Sequence, residues 1–487
     1  MTIGTPTAAA LDRRRFLRLA GLGTAGLLAS PLHARRRGRA VGSKRGPAHV
    51  AKTDVPDHPV DVVLSRPTQS AVTVSALAYS DTQGAIAFGT RRDALSRKTP
   101  IATFRKGVPV ELVLGSLEPN TRYHYQLRCQ AAGGQTRIDG TFHTHRPPGS
   151  PFVFTIQADP HLDQNTVPQL YEQTLRNALA DEPDFHIDLG DTFMTGKYRG
   201  DNPTELYLAE RYYFGLLCHS APLFFMLGNH DGEPGGRGRS RTGALALRKT
   251  YFPNPVPDGF YTGNRRKERN AGFLENYYAW EWGDALFVVL DPFWYSGRPR
   301  RDETDNWHVT LGAEQYQWLK KTLESSKAAF KLVFIHHLVG GANRDGRCRG
   351  GVEAARFFEW GGRAADGRCA FGEKRPGWPM PIHQLLVRNR VDIVFHGHDH
   401  FFAKQELDGI VYQLVPQPGA QERGRVRVAE SYGYTHGTIL SSPGHLRVRV
   451  APGGLRVEYV RSRLPADARR RGSDGEVAHS YIIRARQ

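Results

Sequence analysis

The chain has 487 residues, which is enough for two or three domains that each bury a hydrophobic core. Its net charge is +18 at pH 7, but residues 1–52 hold eleven Lys and Arg against one acid, so more than half of the excess lies there. The remaining positive charge favours anionic small-molecule substrates. Basic and aromatic residues do not recur in a pattern typical of nucleic-acid binding, so we expect no dedicated nucleic-acid site.

Residues 1–34 predict an export signal. The stretch DRRRFLR at residues 12–18 resembles the twin-arginine motif, and a short run of Gly, Ala and Leu follows it. This run is too short to span a membrane, and no other segment approaches that length. We therefore expect an exported protein, periplasmic or extracellular, with no transmembrane segment after signal removal. A basic disordered tail is the alternative for residues 1–34, and residues 35–52 predict a disordered basic linker.

Short alternating strands across residues 53–148 predict an all-β sandwich. The predicted strands are Val60–Leu64, Ala71–Leu77, Ala85–Phe88, Val108–Leu114 and Gly140–Thr144. The run LEPNTRYHY at residues 117–125 resembles the corner of a fibronectin type III domain, which a Leu and a downstream Tyr close. An unrelated all-β module is the alternative. The sequence RPPGSP at residues 146–151 is rich in turn formers and marks the domain boundary.

From residue 149 to residue 487, strands alternate with helical patterns, which predicts an α/β domain. The apolar strands are predicted at Phe152–Ile156, Phe185–Leu189, Leu223–Leu227, Leu332–Ile335 and Val391–Phe395. Helices are predicted at Val167–Ala180, Glu314–Ser325 and Ile382–Arg390. Residues 446–459 predict a β-hairpin, and residues 464–478 a solvated loop. Low-complexity insertions rich in Gly and Arg occupy residues 232–270 and 340–379.

Four cysteines leave the disulfide pattern open: Cys129, Cys218, Cys348 and Cys369. An exported protein can form disulfides, and four thiols allow three pairings. The last two cysteines bracket most of the second insertion, where a disulfide would link its ends. Cys218 has apolar neighbours, which suit a buried free thiol equally well.

Metal-binding side chains follow five of the predicted strands. The motifs are DPH at residues 159–161, GD at 190–191, GNHD at 228–231, HH at 336–337 and GHDH at 397–400. The carboxyl ends of strands are where an open α/β sheet forms its active crevice. Divalent ions accept carboxylate, amide and imidazole ligands, and a carboxylate can bridge two of them. The predicted metal ligands are Asp159, His161, Asp191, Asn229, His336, His398 and His400.

In this order the motifs resemble the signature of the calcineurin-like metallophosphoesterases, D-x-H, G-D, G-N-H-D/E, H and G-H-x-H. With the preceding sandwich, the chain is similar to relatives of the purple acid phosphatases. The resemblance implies a four-layer α/β/β/α catalytic domain after a fibronectin III-like sandwich. It assigns the first ion to Asp159, His161, Asp191 and His400. It assigns the second to Asp191, Asn229, His336 and His398.

The resemblance also implies how the site works. Two divalent ions about 3.5 Å apart would hold the attacking and leaving oxygens at phosphorus and activate a water as hydroxide. His230 would face the leaving group as a general acid or stabilise the phosphoryl oxygens. Asp231 would orient the His230 ring. No side-chain nucleophile is then required.

Two residues depart from the purple enzymes, which have D-x-G in the first motif and a Tyr three residues after the bridging Asp. The corresponding residues here are His161 and Met194. Without a tyrosinate we expect a colourless enzyme. The added imidazole favours Zn, Mn or Fe(II) over a fixed ferric ion, and the identity of the metal stays open.

Several neighbouring residues have simpler interpretations. His337 is the alternative to His336 as a ligand, or it points at the substrate. Asp163 is expected to cap a loop. His186 and Asp188 are expected to be structural. Three arginines of the second insertion are expected to be solvated, with contact to a substrate phosphate as the alternative: Arg344, Arg347 and Arg349.

The sequence therefore predicts an exported enzyme that hydrolyses phosphate esters at two divalent metal ions, as a phosphomonoesterase. One alternative is a phosphodiesterase that acts on lipid or nucleotide diesters. A second is a catalytically silent secreted binding protein, which would be expected to have lost ligands. The sequence leaves the physiological substrate and the oligomeric state open.

Overall fold

The computed structural model describes residues 51–131, 134–198, 202–233, 241–269, 271–297, 305–342, 347–421, 425–467 and 472–486. The predicted signal at residues 1–34 and most of the predicted linker lie outside the described residues. At the linker's end, the backbone N–H of Lys52 donates to the carbonyl of Leu162 at 2.7 Å, and its Nζ atom donates to the carbonyl of Thr166 at 2.5 Å. Lys52 was predicted to be disordered, and these contacts correct that boundary.

Eight strands of the described residues precede residue 150. They are β1 (Val60–Ser65), β2 (Val72–Ala78), β3 (Thr82–Gly89), β4 (Arg97–Lys98), β5 (Ala102–Phe104), β6 (Val110–Leu114), β7 (Arg122–Ala131) and β8 (Gly134–His143). One antiparallel sheet has the order β1-β2-β6, and a second has the order β4-β3-β7-β8 with β5 beside β3. Val74 of the first sheet and Tyr125 of the second belong to the same buried core. The predicted all-β N-terminal region is confirmed.

Sixteen strands of the described residues follow residue 150. They are β9 (Phe152–Gln157), β10 (Phe185–Asp188), β11 (Leu223–Phe225), β12 (Thr262–Gly263), β13 (Lys267–Glu268), β14 (Gly272–Phe273), β15 (Tyr278–Trp282), β16 (Ala285–Val289), β17 (Phe330–Ile335), β18 (Ile393–His396), β19 (Phe402–Leu407), β20 (Ile410–Leu414), β21 (Thr438–Leu440), β22 (Gly444–Ala451), β23 (Gly454–Arg461) and β24 (Val477–Arg484).

Seven α-helices accompany these strands in the described residues. They are α1 (Pro168–Ala180), α2 (Thr204–Cys218), α3 (Arg241–Tyr251), α4 (Gly312–Ser325), α5 (Phe358–Gly361), α6 (Phe371–Lys374) and α7 (Ile382–Arg388). The three predicted helices correspond to α1, α4 and α7, and α1 begins at a proline, which suits the first helical position. No helix in the described ranges is long and apolar enough to cross a membrane.

Fourteen of these strands form two large sheets that share one core, and β13 pairs with β14 in a separate two-stranded sheet. The first has the order β11-β10-β9-β22-β23-β24, and the second has the order β12-β15-β16-β17-β18-β20-β19-β21. Phe154 of the first sheet and Phe287 of the second meet edge to face, with ring centroids 5.1 Å apart. Helices α1 and α2 pack in the apolar cluster that includes β11, and α4 and α7 pack in the one that includes β17 and β18. The predicted α/β class is confirmed.

The inner strands are parallel at the positions that carry the motifs. In the first sheet β10 pairs in parallel with both β9 and β11, and in the second β17 pairs in parallel with both β16 and β18. Parallel strands covered on both faces are continuously apolar, which is why these runs are visible in the sequence. Parallel pairing also brings their carboxyl ends to the same edge of each sheet.

A buried ion pair joins the β-sandwich to the α/β region. Arg211 of α2 is fully buried, and its Nε atom donates to the Asp61 carboxylate of β1 at 2.6 Å. The same guanidinium donates to the hydroxyl and the carbonyl of Ser75. Removing one partner of a buried ion pair leaves the other charge buried and unpaired, which is strongly destabilising. This contact therefore fixes α2 against the sandwich.

The two insertions contain more structure than their composition predicted. Within the first, Arg248 of α3 is buried and donates from Nε to Glu233 at 2.6 Å. Within the second, Trp360 is buried, and its indole N–H donates to the hydroxyl of Tyr412 at 3.0 Å. Arginine counts as a polar residue in composition, but it can be buried when a carboxylate and carbonyl groups satisfy its donors.

One further expectation is corrected, and the disulfide pattern that the sequence left open is answered. The predicted solvated loop at residues 464–478 ends in β24, which begins at Val477 and pairs with β23. None of the four cysteines forms a disulfide in the part of the chain that the structure describes, so the disulfide considered for the second insertion is not formed. Three of the thiols are buried and Cys369 is exposed.

An ion pair away from the motifs gives a pH-dependent prediction. Asp181 accepts from His445 at 2.8 Å and from Arg447 at 2.6 Å, and these two residues hold the pKa of its carboxyl below its usual range despite burial. We expect Asp181→Asn to lower the free energy of unfolding by about 3 kcal/mol at pH 7. A lowered folded-state pKa contributes stability above pH ~4 that is lost on acidification. The difference from wild type in urea unfolding should therefore shrink at pH 3, and an unchanged difference would contradict this assignment.

Candidate metal centre

The motif residues lie just beyond the carboxyl ends of the inner strands. Asp159 follows β9, Asp191 follows β10, Asn229 follows β11, His336 follows β17 directly and His398 follows β18. Because the two sheets pack face to face, these strand ends meet at one edge of the core. The predicted ligands are therefore brought together by the topology.

The first ligand group consists of Asp159, His161 and His400, whose ligand atoms all lie within 4.8 Å of one another. The Oδ1 atom of Asp159 lies 3.3 Å from Nε2 of His400 and 3.8 Å from Nε2 of His161. The Nδ1 atom of His161 lies 3.3 Å from the carboxylate of Asp163. Asp163 also caps the N–H of Asn165 at 2.8 Å, so it is the predicted loop cap and also turns His161 inward.

The second group consists of Asp191, His336 and His398, again within 4.8 Å of one another. The Nδ1 atom of His336 lies 2.8 Å from the carbonyl of Leu189, which leaves Nε2 facing the group. The side-chain oxygen of Asn229 lies 3.1 Å from this Nε2 atom. His336 is in the group and His337 is not.

Asp191, a member of the second group, also faces the first. Its Oδ2 atom lies 3.9 Å from Nε2 of His161 in the first group and 3.5 Å from Nε2 of His336 in the second. Its Oδ1 atom accepts the backbone N–H of His230 at 2.7 Å. One oxygen of Asp191 is therefore held away from the centre, and the other faces both groups.

The residues fit divalent metal ions. Asp159 Oδ1, His161 Nε2 and His398 Nδ1 are buried and lack a hydrogen-bond partner among the described residues. Leaving such an atom unsatisfied costs roughly 1–3 kcal/mol, which a coordinated cation removes. Burial would lower the pKa of His161, but Asp159, Asp163 and Asp191 raise it to about 9. Burial would likewise lower the pKa of His336, but Asp191 and Asp159 raise it to about 10. The field of the carboxylates therefore attracts positive charge, and a divalent ion can replace these protons.

Four ligands adopt left-handed backbone conformations. Asp159, Asp191, His398 and His400 have φ values of +56°, +58°, +77° and +67°. Such values are unfavourable for residues with a Cβ atom, and they occur at functional sites where surrounding contacts hold the backbone in place. Gly228 permits the close approach of two motif loops, since a Cβ there would lie 2.1 Å from the backbone nitrogen of Asp191.

His230 lies at the open side of the centre. Its Nε2 atom is 3.9 Å from Oδ2 of Asp191, and its side chain is 26% exposed. Burial lowers the pKa of His230 to about 4, against the influence of Asp191, and Lys197 lowers it further. The ring is thus placed beside the ligand groups without belonging to either.

The expected role of Asp231 is corrected. Its carboxylate accepts four backbone N–H groups, from Asp191 at 2.9 Å, Gly228 at 2.7 Å, Thr192 at 2.9 Å and Phe193 at 2.8 Å. These bonds join two motif loops and use both oxygens. They are not the bond to the His230 ring that the motif predicted, because each carboxylate oxygen accepts two backbone N–H groups instead.

The expectation for one arginine of the second insertion is also corrected, whereas the side chain of Arg347 is exposed as expected. Arg349 was expected to be solvated, but its side chain is 18% exposed and pairs with Asp399 at 3.2 Å. The carbonyl of Arg347 lies 2.5 Å from Nε2 of His398. Arg344 lies outside the described residues. The sequence held no signal for these contacts, because they join segments about 50 residues apart.

The comparisons with known proteins agree with this geometry. The family model described as calcineurin-like phosphoesterase matches residues 152–402. The solved structure of PhoD is 14% identical, with a TM-score of 0.62, and the match covers 91% of this chain and 92% of that one. The purple acid phosphatase PPD1 from yellow lupin (Lupinus luteus) seeds is 16% identical, with a TM-score of 0.57, over 88% of this chain and 74% of that one.

Identities this low establish the fold alone, and no curated protein matches the chain in sequence. The family model, in contrast, covers more than half of the chain and includes every metal-binding motif. A metal-dependent phosphoester hydrolase is thereby established. The chain belongs to the calcineurin-like phosphoesterases.

Proposed function

We propose that the protein is an exported phosphomonoesterase that works with two divalent metal ions. The observation that carries the proposal is the presence of two ligand groups that the Oδ2 atom of Asp191 faces together. One ion would be held by Asp159, His161, Asp191 and His400. The other would be held by Asp191, Asn229, His336 and His398.

When bound, such a pair of ions activates water for attack on phosphorus and neutralises charge on the phosphoryl oxygens. The protein's own residues orient the substrate. Since burial lowers the pKa of His230 to about 4, its ring is neutral near pH 7 and serves as an N–H donor to a phosphoryl oxygen. Lys197 lies close enough to influence that pKa, so it adds positive charge at the open side and attracts an anionic ester.

The metal identity follows the donor set. The first group has two imidazoles and carboxylates, which suit Zn, Mn or Fe(II). The residue three positions after Asp191 is Met194, a buried thioether in place of a phenol. We therefore propose that the metal-loaded protein is colourless.

The finer architecture and the location complete the proposal. Two buried residues support a fibronectin III-like identity for the sandwich, Leu117 and Tyr123. The hydroxyl of Tyr123 accepts the N–H of Glu118 at 2.9 Å. The apolar clusters outside the two sheets support a four-layer α/β/β/α catalytic domain. The twin-arginine pattern at residues 12–18 supports export, which would deliver the folded protein with its metals.

Metal analysis and a substrate comparison test the function. We expect about two metal ions per chain by mass spectrometry and faster hydrolysis of an aryl phosphate than of a bis-aryl phosphate. Chelation should remove the activity, and bound metal should stabilise the fold by about 3 kcal/mol at 100 times its dissociation constant. A preference for the diester would favour the phosphodiesterase alternative instead. Metal binding without hydrolysis of either ester would favour a silent binding protein.

A further inference from the structure

A segment of the second insertion lies against the turn that carries two metal ligands. This insertion segment comprises residues 347–353, and its contacts converge on the buried carboxylate of Asp399 in the GHDH motif. Arg349 donates to Oδ1 of Asp399 at 3.2 Å, and the N–H of Gly350 donates to Oδ2 at 3.0 Å. The hydroxyl of Tyr434 donates to the same Oδ2 atom at 2.8 Å. Asp399 thus joins the turn to two distant parts of the chain.

The insertion segment also reaches the neighbouring ligand itself. The carbonyl of Arg347 lies 2.5 Å from Nε2 of His398, so that nitrogen must carry the proton. The lone pair is then on Nδ1, which is buried and lacks a hydrogen-bond partner among the described residues. A carbonyl on the far ring nitrogen is the usual means by which a protein fixes the tautomer and direction of a ligating histidine.

The turn requires such support because its backbone is strained. His398 and His400 both have positive φ values, and the N–H of Asp399 bonds back to the carbonyl of Gly397 at 3.0 Å. Residues other than glycine persist in this conformation only where surrounding contacts compensate. The guanidinium of Arg349 is itself held in place, since it lies 3.7 Å from the centroid of the Tyr432 ring.

We propose that Arg349 and Asp399 are positioning residues that fix the metal ligand His398. They hold the insertion segment against the turn, so that the carbonyl of Arg347 keeps Nδ1 of His398 directed at the second ligand group. This inference rests on the proposed two-ion site and deepens it. It gives the second insertion, which lies outside the motifs, a defined part in metal binding.

The test measures metal binding in Arg349→Met and Asp399→Asn. The metal-free proteins are titrated with Zn²⁺ in equilibrium dialysis, and bound metal is measured by mass spectrometry. We expect one of the two ions to bind about 10- to 100-fold more weakly, while the other is retained. Arg349→Lys should fall between wild type and Arg349→Met, since an ammonium keeps the charge but loses the planar fork.

A matched control separates positioning from general loosening of the insertion. Glu353 belongs to the same segment and accepts from Gln405 at 3.0 Å and from the N–H of Thr435 at 2.8 Å, away from His398. Glu353→Gln should lower thermal stability comparably and leave both ions bound. The visible spectrum of the Co²⁺-loaded protein adds a second readout, which should change in the Arg349 and Asp399 variants and stay unchanged in Glu353→Gln.

The outcomes are distinct. If wild type binds two ions and both positioning variants bind both within twofold of wild type, the inference is wrong and the proposed function stands. If wild type does not bind two ions, the proposed function is wrong, and the inference that rests on it is wrong as well. Tyr434→Phe removes only one bond to Asp399, and it decides the question if the other variants do not fold. A weaker second ion in Tyr434→Phe supports the inference, and unchanged affinity overturns it.

Discussion

Asp191→Ala is expected to abolish phosphoester hydrolysis. One oxygen of this carboxylate faces both ligand groups, and the other accepts the backbone N–H of His230. Its removal therefore weakens both metal positions and releases the loop that carries Asn229. Replacing residues that only support a metal ligand costs 10- to 100-fold in affinity, so we expect more than about 100-fold here and no measurable turnover of an aryl phosphate.

The control for this variant is Asp181→Asn, which also removes a buried carboxylate charge but lies beside His445 and Arg447. It should lose stability and keep both its metal content and its kcat. Retained turnover in Asp191→Ala, measured after full metal loading, would contradict the two-ion proposal, because the Oδ2 atom of Asp191 faces both ligand groups.

His230→Ala is expected to separate catalysis from metal binding. The ring lies at the open side, 3.9 Å from Asp191, and it is not in either ligand group. The loss of a hydrogen-bond donor that acts on the phosphoryl group in the transition state costs roughly 100- to 1000-fold in kcat. Metal content by mass spectrometry should equal that of wild type, and KM should change little.

His230→Asn serves as the partial rescue, because its amide keeps an N–H donor with a shorter reach. We expect its kcat to lie between those of wild type and His230→Ala. If His230→Ala loses metal in parallel with activity, His230 is a metal ligand and its assignment as a substrate donor is wrong. If the kcat of His230→Ala equals that of wild type, the assignment of His230 as a hydrogen-bond donor to the substrate is wrong.

Much of the fold was visible in the sequence for a physical reason. Strands buried on both faces, such as β9 and β17, are continuously apolar, and helices such as α1 and α4 bury one face at a period of 3.6 residues. These local patterns do not depend on distant partners. The insertions were less visible, because the burial of Arg248 and Trp360 depends on Glu233 and Tyr412, which composition does not reveal.

For the metal centre, the sequence by itself determined which residues are candidates, because motif spacing after strand ends restricts the ligands to a few positions. Only the tertiary structure decided their partners. It gave Asp231 four backbone donors in place of the His230 ring, and it placed the carbonyl of Arg347 on His398. A hydrogen bond between segments far apart in the chain depends on their relative orientation in space, and the spacing of motifs in a single sequence does not specify that orientation.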